Sequence, residues 1–258
     1  MTAEIEYAPY ELMVAAGARE LKDGEIVVVG LGLPVIATFL AQRTHAPHIT
    51  ILLELGVADP EPLEVGVDGL SDPRIWYRAK AHTSFADMLG SVLHRGIVDV
   101  GFLGGLEIDA YGNLNTTLLG DPKGKFRRFT GSGGGNDVAS NANRTVITIR
   151  HEARKLNEAV SFITSPGYLG GNDERQRAGL RGGPSRVITD KAVFGFDPVS
   201  KRMKLESIHP NTTLDEVLAN MSFRPIVPDQ VPFTEPPTAE QIRLIREEID
   251  PGRAYEGG

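Results

Sequence analysis

The stretch Ile51-Leu52-Leu53-Glu54-Leu55-Gly56 decides the fold that this 258-residue sequence predicts. The apolar run at residues 49–53, cut off by a glycine, is typical of a buried strand in a parallel sheet. Open α/β sheets bind ligands outside the carboxyl ends of such strands, which is where Glu54 stands. A carboxylate between two leucines is poorly hydrated. It is therefore either a functional group or a strand-end Glu that turns to water or pairs with an Arg.

The residues before this stretch predict a crossover unit of a parallel sheet. Residues 26–29 read as a β-branched strand, which runs into Gly30-Leu31-Gly32 and then Pro34, a residue suited to the first turn of a helix. Strand, helix and strand in this order form a right-handed unit. The dinucleotide fingerprint needs a third glycine where this chain has Val35. The glycines therefore indicate a tight turn rather than a nicotinamide or flavin site.

The rest of the chain continues the alternation of strands and helices. Further strands are predicted at residues 98–103, 145–149, 160–163 and 186–189, an antiparallel hairpin at 193–196 and 203–208, and helices at 10–21, 84–95, 213–220 and from 238. The Pro-rich residues 225–237 are expected to be a surface tether. The predicted fold class is α/β, an open, mostly parallel sheet with flanking helices and a small antiparallel hairpin, forming one domain over residues 1–258.

Composition excludes several classes of function. The chain has no cysteine, so disulfides, thiolate metal sites and a Cys nucleophile are excluded, and its six histidines do not cluster, so no metal site is predicted. A net charge of −7 argues against nucleic-acid binding. No apolar stretch approaches the ~20 residues of a membrane span, and residues 1–10 do not resemble a signal peptide. A cytoplasmic protein without a membrane partner is expected.

The glycine-rich stretch Gly131-Ser132-Gly133-Gly134-Gly135-Asn136-Asp137 is the second candidate for chemistry. Consecutive exposed N–H groups in such a stretch make an anion-binding nest, whereas the alternative is a mobile surface linker. A basic run precedes it on an acidic protein and would attract phosphates or carboxylates. The run consists of Lys123, Lys125, Arg127 and Arg128.

A carboxylate and a glycine nest together suit acyl transfer. A Glu can attack a thioester carbonyl if donors stabilise the oxyanion that forms, and backbone N–H groups supply such donors. Asn113 and Asn115 could add a side-chain amide donor. The alternative role for each is an Asx turn between two strands.

With these motifs in place, the chain resembles the β subunit of family I CoA-transferases, most closely the glutaconate CoA-transferase type. The resemblance runs from about Tyr10 to Tyr255. The stretches that carry it are Gly30-Leu31-Gly32-Leu33-Pro34, Glu54-Leu55-Gly56, Ile108-Asp109-Ala110-Tyr111-Gly112-Asn113-Leu114-Asn115, Phe129-Thr130-Gly131-Ser132-Gly133-Gly134, Ile163-Thr164-Ser165-Pro166-Gly167 and Ile245-Arg246-Glu247-Glu248-Ile249-Asp250-Pro251-Gly252.

The resemblance implies a NagB-like CoA-transferase fold and a reaction in which Glu54 carries CoA as a glutamyl-CoA thioester. It also implies that the backbone of Gly133, Gly134 and Gly135 forms the oxyanion site. The basic residues Lys125, Arg127 and Arg128 are candidates for binding CoA. No metal or redox cofactor is expected, because an acyl-CoA and a carboxylic acid are the substrates. A separate α subunit is expected to complete the site, so the chain is expected to be part of a hetero-oligomer.

One departure bears on the substrate. Glutaconate-type enzymes commonly have Ser after the Glu, where this chain has Leu55, so a more apolar acid than glutaconate is expected. Relatives on this fold hydrolyse a ring β-keto acyl-CoA or decarboxylate a glutaconyl-type CoA, usually with the Glu replaced. The retained Glu54 favours transfer to a small mono- or dicarboxylic acid. An acyl-CoA hydrolase, a ring-opening hydrolase, a decarboxylase and a non-catalytic subunit remain alternatives.

Overall fold

A computed structural model describes residues 6–62, 65 and 69–254 of the chain. Elements are numbered in chain order. The helices are α1 (Pro9–Arg19), α2 (Leu33–Arg43), α3 (Phe85–Asp87), α4 (Gly135–Asn141), α5 (Glu174–Arg177), α6 (Leu214–Ala219) and α7 (Ala239–Leu244), with a 3-10 turn at Pro73–Trp76 and π-helical turns at Met88–Leu93 and Ile245–Ile249. The strands are β1 (Ile26–Val29), β2 (Thr50–Leu53), β3 (Val57–Ala58), β4 (Ala81–His82), β5 (Val100–Gly104), β6 (Glu107–Ile108), β7 (Leu114–Asn115), β8 (Leu118–Gly120), β9 (Phe126–Arg128), β10 (Arg144–Thr148), β11 (Pro184–Ile188), β12 (Ala192–Phe196) and β13 (Met203–Ile208).

The described residues fall into two compact units. The first contains the chain up to Val92 and the segment from Glu235 onward, and the second contains residues 93–234. In the first unit β1 and β2 are parallel, and β3 and β4 follow β2 as antiparallel strands. In the second unit β5, β10 and β11 are parallel, and β12 and β13 are antiparallel. The α/β class is confirmed, whereas a single domain over residues 1–258 stays a prediction.

The predicted crossover unit is confirmed in the first unit. β1 and β2 run in register, with Val29 opposite Leu53, and each strand is buried after its first residue. α2 begins at Leu33 and has Pro34 in its first turn. α1 packs against α2, and nine of the eleven residues of α1 are buried. Full burial of one aliphatic side chain contributes about 1.5–3 kcal/mol, so the buried side chains of α1 stabilise the first unit.

The carboxyl-terminal segment returns to α1 within the first unit. Arg246 donates to the buried carboxylate of Glu11 at 2.6 and 2.8 Å, and the same carboxylate accepts from the N–H of Ala8 at 2.7 Å. The predicted capping box at Thr238 opens α7, with Gln241 as its partner. The last helical turns are therefore fixed both by their own cap and by an ion pair to the first helix.

The predicted helix at residues 84–95 is confirmed in position but differs in winding. Ser84 Oγ accepts from the N–H of Asp87 at 3.0 Å, which starts the helix as an N-cap. Only Phe85–Asp87 is α-helical, and a π-helical turn follows over Met88–Leu93. Gly96 ends the segment with φ of +71°.

The strand predicted at residues 160–163 is wrong. This segment forms bends without ladder pairing, and Phe162 and Ile163 are exposed. The N–H of Ser161 donates to the carboxylate of Glu107 at 3.0 Å instead of to a strand. A side-chain acceptor therefore takes the place of a neighbouring strand, and the β-branched composition alone did not indicate it.

The predicted hairpin of β12 and β13 is confirmed, and the Pro-rich residues after it are more ordered than a tether. The N–H of Leu205 donates to Ile226 at 2.8 Å and the N–H of Ile226 donates back to Met203 at 3.0 Å. Further along, the N–H of Thr234 donates to Ile208 at 2.8 Å. The Pro-rich segment thus lies along the free edge of β13 and covers it, which is a usual way to protect a sheet edge. No helix in the described part of the chain is long and apolar enough to cross a membrane.

Candidate active site

Glu54 is the first residue of the turn that follows β2, and it is half-buried. The N–H of Gly56 closes the turn by donating to the Leu53 carbonyl at 3.0 Å. Gly56 has φ of +98°, and a Cβ there would lie 2.2 Å from the carbonyl oxygen of Thr83. Only glycine fits this position, so the turn that carries Glu54 has a fixed path.

Hydrogen bonds from outside the turn brace it further. The N–H of Thr83 donates to the Gly56 carbonyl at 2.7 Å. Asp59 exchanges two bonds with Ile51, one from its N–H to the Ile51 carbonyl and one from the Ile51 N–H to its carboxylate, both at 2.7 Å. Lys80 Nζ lies 3.1 Å from the other oxygen of that carboxylate. These contacts hold the carboxyl end of β2, where the sequence predicts a catalytic group.

The glycines before α2 form the tight turn that the sequence predicts. Gly32 is the N-cap of α2, with φ of +99°. A Cβ at Gly32 would meet only the Pro34 ring, at 3.7 Å, so the backbone angle and not the space requires glycine there.

The glycine-rich stretch of the second unit is an ordered loop that leads into α4. Gly131 has φ of +91° and Gly133 has φ of +49°, and α4 begins at Gly135. At the start of the loop the N–H of Gly131 donates to Thr116 at 3.1 Å, and Thr116 Oγ1 donates back to the Gly131 carbonyl at 2.7 Å. These two reciprocal hydrogen bonds favour an ordered loop over a mobile linker.

The far end of the loop is anchored as well. Asn136 Nδ2 donates to the Thr164 carbonyl at 2.8 Å. The N–H of Gly135 donates to the Ser132 carbonyl at 2.8 Å, and a Cβ on Gly135 would lie 3.2 Å from Ser165 Oγ. The Gly135 amide is therefore engaged inside the loop. Gly133, by contrast, is exposed, which makes it the best-presented of the three predicted oxyanion donors.

Asn113 takes a structural role in the second unit. Its Nδ2 donates to Asp109 at 2.8 Å and to the Leu169 carbonyl at 2.9 Å. Its Oδ1 accepts from the N–H groups of Gly167 at 2.8 Å and Leu169 at 3.1 Å. Both hydrogens and both lone pairs of the amide are used. Burial raises the pKa of the Asp109 carboxyl that shares this network.

Asn115 is engaged in the same way. Its Nδ2 donates to Glu107 and to the Leu118 carbonyl, both at 2.5 Å. Its Oδ1 accepts from the N–H of Thr117 at 3.0 Å, an Asx turn, and Thr164 Oγ1 lies 3.5 Å away. The Asx-turn alternative thus describes Asn115, and neither Asn side chain has a donor left for a substrate in this arrangement. Their part in substrate binding stays a prediction.

The basic run lies on a hairpin formed by β8 and β9. Leu118 pairs with Arg128 and Gly120 with Phe126, and all three residues of β9 are exposed. The guanidinium of Arg127 stands 5.1 Å from the centre of the Phe129 ring. Within the residues that the structure describes, no group of three or more His, Asp or Glu side chains could hold a metal ion.

Arg175 organises the loops behind the glycine stretch and was not predicted from the sequence. It is 3% exposed, and burial lowers the pKa of its guanidinium to about 10. Among the described residues, the partners of the guanidinium are backbone carbonyl oxygens, those of Ala139, Pro166, Gly167, Arg181 and Gly182. It thereby ties α4 to the Ser165-Pro166-Gly167 loop. The partners are far apart in sequence, so no local pattern indicates this role.

The comparisons with known proteins give the family. The sequence model described as "Coenzyme A transferase" matches residues 10–220. The chain belongs to the coenzyme A transferase family. The B subunit of the glutaconate CoA-transferase of Acidaminococcus fermentans is 38% identical over 258 residues, which cover 96% of this chain and 95% of that relative. The crystal structure of that organism's glutaconate CoA-transferase matches with a TM-score of 0.90, at 36% identity and 98% coverage of both chains.

Two further matches carry different activities. The B subunit of the 3-oxoadipate CoA-transferase of Pseudomonas knackmussii is 32% identical over 241 residues, covering 93% of this chain and 92% of that relative. The decarboxylase AibA/AibB matches with a TM-score of 0.82 at 26% identity, covering 96% of this chain and 97% of that chain. The Acidaminococcus and Pseudomonas relatives are both CoA-transferase subunits. A decarboxylase has a similar fold.

Proposed function

We propose that this CoA-transferase family chain is the B subunit of an enzyme that moves CoA from an acyl-CoA to a small mono- or dicarboxylic acid, with Glu54 as the nucleophile. The observation that carries the proposal is the half-buried carboxylate on a turn that glycine alone permits, at the end of a buried parallel strand. The 38% identity to the B subunit of a glutaconate CoA-transferase supports the same activity.

The proposed reaction divides one difficult exchange into easier covalent steps. A carboxylate oxygen of Glu54 attacks the thioester carbonyl, and CoA leaves as the thiolate, which gives a mixed anhydride. The thiolate then attacks the glutamyl carbonyl, and the donor acid leaves as its carboxylate. A glutamyl-CoA thioester remains, and an acceptor carboxylate reverses the steps and leaves as its CoA ester. Each step is a substitution at an acyl carbon and uses no metal or redox group.

The glycine loop is the proposed source of oxyanion stabilisation. Each tetrahedral intermediate places negative charge on the former carbonyl oxygen, and pre-positioned N–H groups stabilise that charge. Gly133 is exposed and lies two residues after the anchored Gly131, which supports its amide as one of the donors. The proposal for Gly134 rests on its neighbouring place in the loop.

The acid substrates follow from the relatives and from Leu55. Two relatives that align over nearly the whole chain are named for glutaconate and 3-oxoadipate, both small dicarboxylic acids. Leu55, next to the proposed nucleophile, is half-buried. We propose a small acid with an apolar portion as the acceptor.

A separate α subunit is the proposed partner. Both relatives are named as B subunits, and this chain covers 95% and 92% of them. The exchange therefore needs the complex of this chain with an α subunit, and every activity measurement uses that complex.

The second candidate function is a hydrolase or decarboxylase, which the structural match to the decarboxylase AibA/AibB supports. The two candidates differ in their dependence on an acceptor acid. With acyl-CoA and a second carboxylic acid, transfer yields the CoA ester of that acid and little free CoA. Release of free CoA, or of carbon dioxide, at the same rate with no acceptor acid present would replace the transferase proposal with the second candidate.

A further inference from the structure

Arg175, in the short helix α5, is a buried cation whose partners among the described residues are carbonyl oxygens rather than a carboxylate. It is 3% exposed. Its Nη1 donates to the Pro166 and Gly167 carbonyls, both at 2.7 Å, and its Nη2 donates to the Ala139 carbonyl. Its Nε donates to the carbonyls of residues 181–182, both at 3.0 Å. Charge-assisted bonds of this kind offset the cost of burying a guanidinium, so they hold three backbone segments together.

The segment that Arg175 holds at residues 164–167 contacts the end of the glycine loop. The Thr164 carbonyl accepts from Asn136 Nδ2 at 2.8 Å. A Cβ on Gly135 would lie 3.2 Å from Ser165 Oγ, so the two segments are in close contact there. The glycine loop ends where α4 begins, and Arg175 also holds α4. A movement of either segment would therefore move the end of the loop.

The start of the glycine loop is anchored independently of Arg175. The N–H of Gly131 donates to the Thr116 carbonyl at 3.1 Å, and Thr116 Oγ1 donates to the Gly131 carbonyl at 2.7 Å. Gly133 lies between the two anchored ends, with φ of +49°. The place of its amide thus depends on both ends, and the far end depends on Arg175. A displacement of about 1 Å at a catalytic group can lower a rate about 10²-fold.

We propose that Arg175 is a positioning residue for the glycine loop, acting through residues 164–167 and Asn136 on the amides of residues 133–135. The inference rests on the proposed function for the role of the loop and adds the buried residue that places its donors. In this role Arg175 acts through the backbone and not by contact with a substrate. Lysine cannot replace it, because one ammonium group lacks the planar fork that reaches carbonyls of three segments.

The first test compares Arg175→Lys with the wild type in the complex with the α subunit, well below the unfolding midpoint of the variant. We expect kcat for CoA transfer to fall at least about tenfold and KM for acyl-CoA to change less than about twofold, because transition-state stabilisation is lost and substrate binding is not. Arg177→Lys is the matched control, since Arg177 lies in the same helix, is exposed and pairs with Asp173. A lower unfolding midpoint with wild-type kcat would show a merely structural role and overturn the inference.

A second variant cuts the link between Arg175 and the loop without changing the buried guanidinium. Asn136 is exposed, so Asn136→Ala is expected to fold even if Arg175→Lys does not. It should also lower kcat about tenfold. The double variant should be less active than either single variant by less than about threefold, because both changes release the same contact. Wild-type kcat in Asn136→Ala, or losses that multiply independently, would overturn the inference.

Hydrogen exchange keeps this inference separate from the proposed function, since it needs no activity. The amides of residues 131–136 should exchange about tenfold faster in Arg175→Lys and Asn136→Ala than in the wild-type complex, whereas the amides of β12 should not change. That result in a complex without transferase activity would defeat the proposed function alone. Unchanged exchange of the loop, or an equal rise in β12, would overturn the inference.

Discussion

At the scale of single residues, Glu54 and Gly56 act together, because both belong to the turn after β2. Gly56 lets the chain turn directly after β2, and the turn presents Glu54 half-buried. Glu54 lies in this turn, outside every strand and helix of the described chain. In the proposed reaction its carboxylate is the nucleophile, so its removal should affect turnover far more than stability.

Glu54→Ala in the complex is expected to lower kcat for CoA transfer at least about 10³-fold, because the covalent route is lost. The thermal unfolding midpoint should stay within a few degrees of the wild type. Steady-state kinetics and a melting curve measure both. Glu61→Ala is the control, since Glu61 is exposed and pairs with Arg78 at the surface. Equal activity of the Glu54 variant and the control would contradict a catalytic role and would show that Glu54 is only a charged residue at a strand end.

Gly56→Ala tests whether the turn is built as described. A Cβ at Gly56 would lie 2.2 Å from the Thr83 carbonyl oxygen, whereas Gly24 has a similar φ of +83° and open space around it. Gly24→Ala should cost only the backbone penalty of about 1–2 kcal/mol. Gly56→Ala should cost clearly more in denaturant unfolding, because the backbone must also move. Equal costs in the two variants would contradict the turn geometry.

Sequence patterns predicted the residues whose role is local and missed those whose role is distant. The positions of Glu54, Gly32 and the loop glycines at a strand end and in turns follow from the sequence, and the catalytic roles of Glu54 and the loop stay predictions. The side-chain amide of Asn113 could donate to a substrate by its chemistry. In the structure it is hydrogen-bonded to Asp109 and to the backbone of Gly167 and Leu169. Arg175 binds carbonyls of three separate segments, and no sequence spacing indicates such partners.

At the scale of elements, the sequence predicted the buried strands and the capped helices. It did not predict the conformation of the segments at the periphery of the sheet. β1, β2 and the hairpin of β12 and β13 match their apolar patterns because burial sets both. The segment 160–163 has a strand's composition but bonds to Glu107. The Pro-rich segment has a tether's composition but covers the edge of β13. In both cases a partner from another part of the chain decides the backbone conformation.

Two buried histidines join β11, β13 and α6 in the second unit. His151 bonds through its ring nitrogens to Thr189 Oγ1 at 3.0 Å and to the Val217 carbonyl at 2.9 Å. His209 bonds in the same way to Thr234 Oγ1 at 2.9 Å and to the Thr189 carbonyl at 2.7 Å. Burial lowers the pKa of both imidazoles below the usual value, although nearby Asp190 opposes the shift.

This network predicts a loss of stability in mild acid. A lowered pKa in the folded state means that the unfolded chain binds the proton first, near its ordinary pKa of about 6.5. Stability should therefore be constant above about pH 7 and should fall as the pH decreases below about 6.5. Urea unfolding at about pH 7.5, 6.5 and 5.5 measures the slope. His209→Gln should make that slope shallower, because it removes one of the two buried imidazoles.

At the scale of the whole molecule, the chain is a family member with two compact units. Glu54 belongs to the first unit and the glycine loop belongs to the second. The chain matches two CoA-transferase B subunits over nearly their whole length. The complex with an α subunit is therefore the form in which activity is measured.

Mass spectrometry of that complex tests the central claim most directly. The complex is incubated with acyl-CoA without acceptor acid, trapped, digested and searched for the peptide that contains Glu54. We predict that this peptide gains the mass of CoA less one water, that the mass disappears when acceptor acid is added, and that Glu54→Ala never acquires it. A complex that transfers CoA while the Glu54 peptide stays unmodified at every time point would contradict the assignment of Glu54 as the nucleophile.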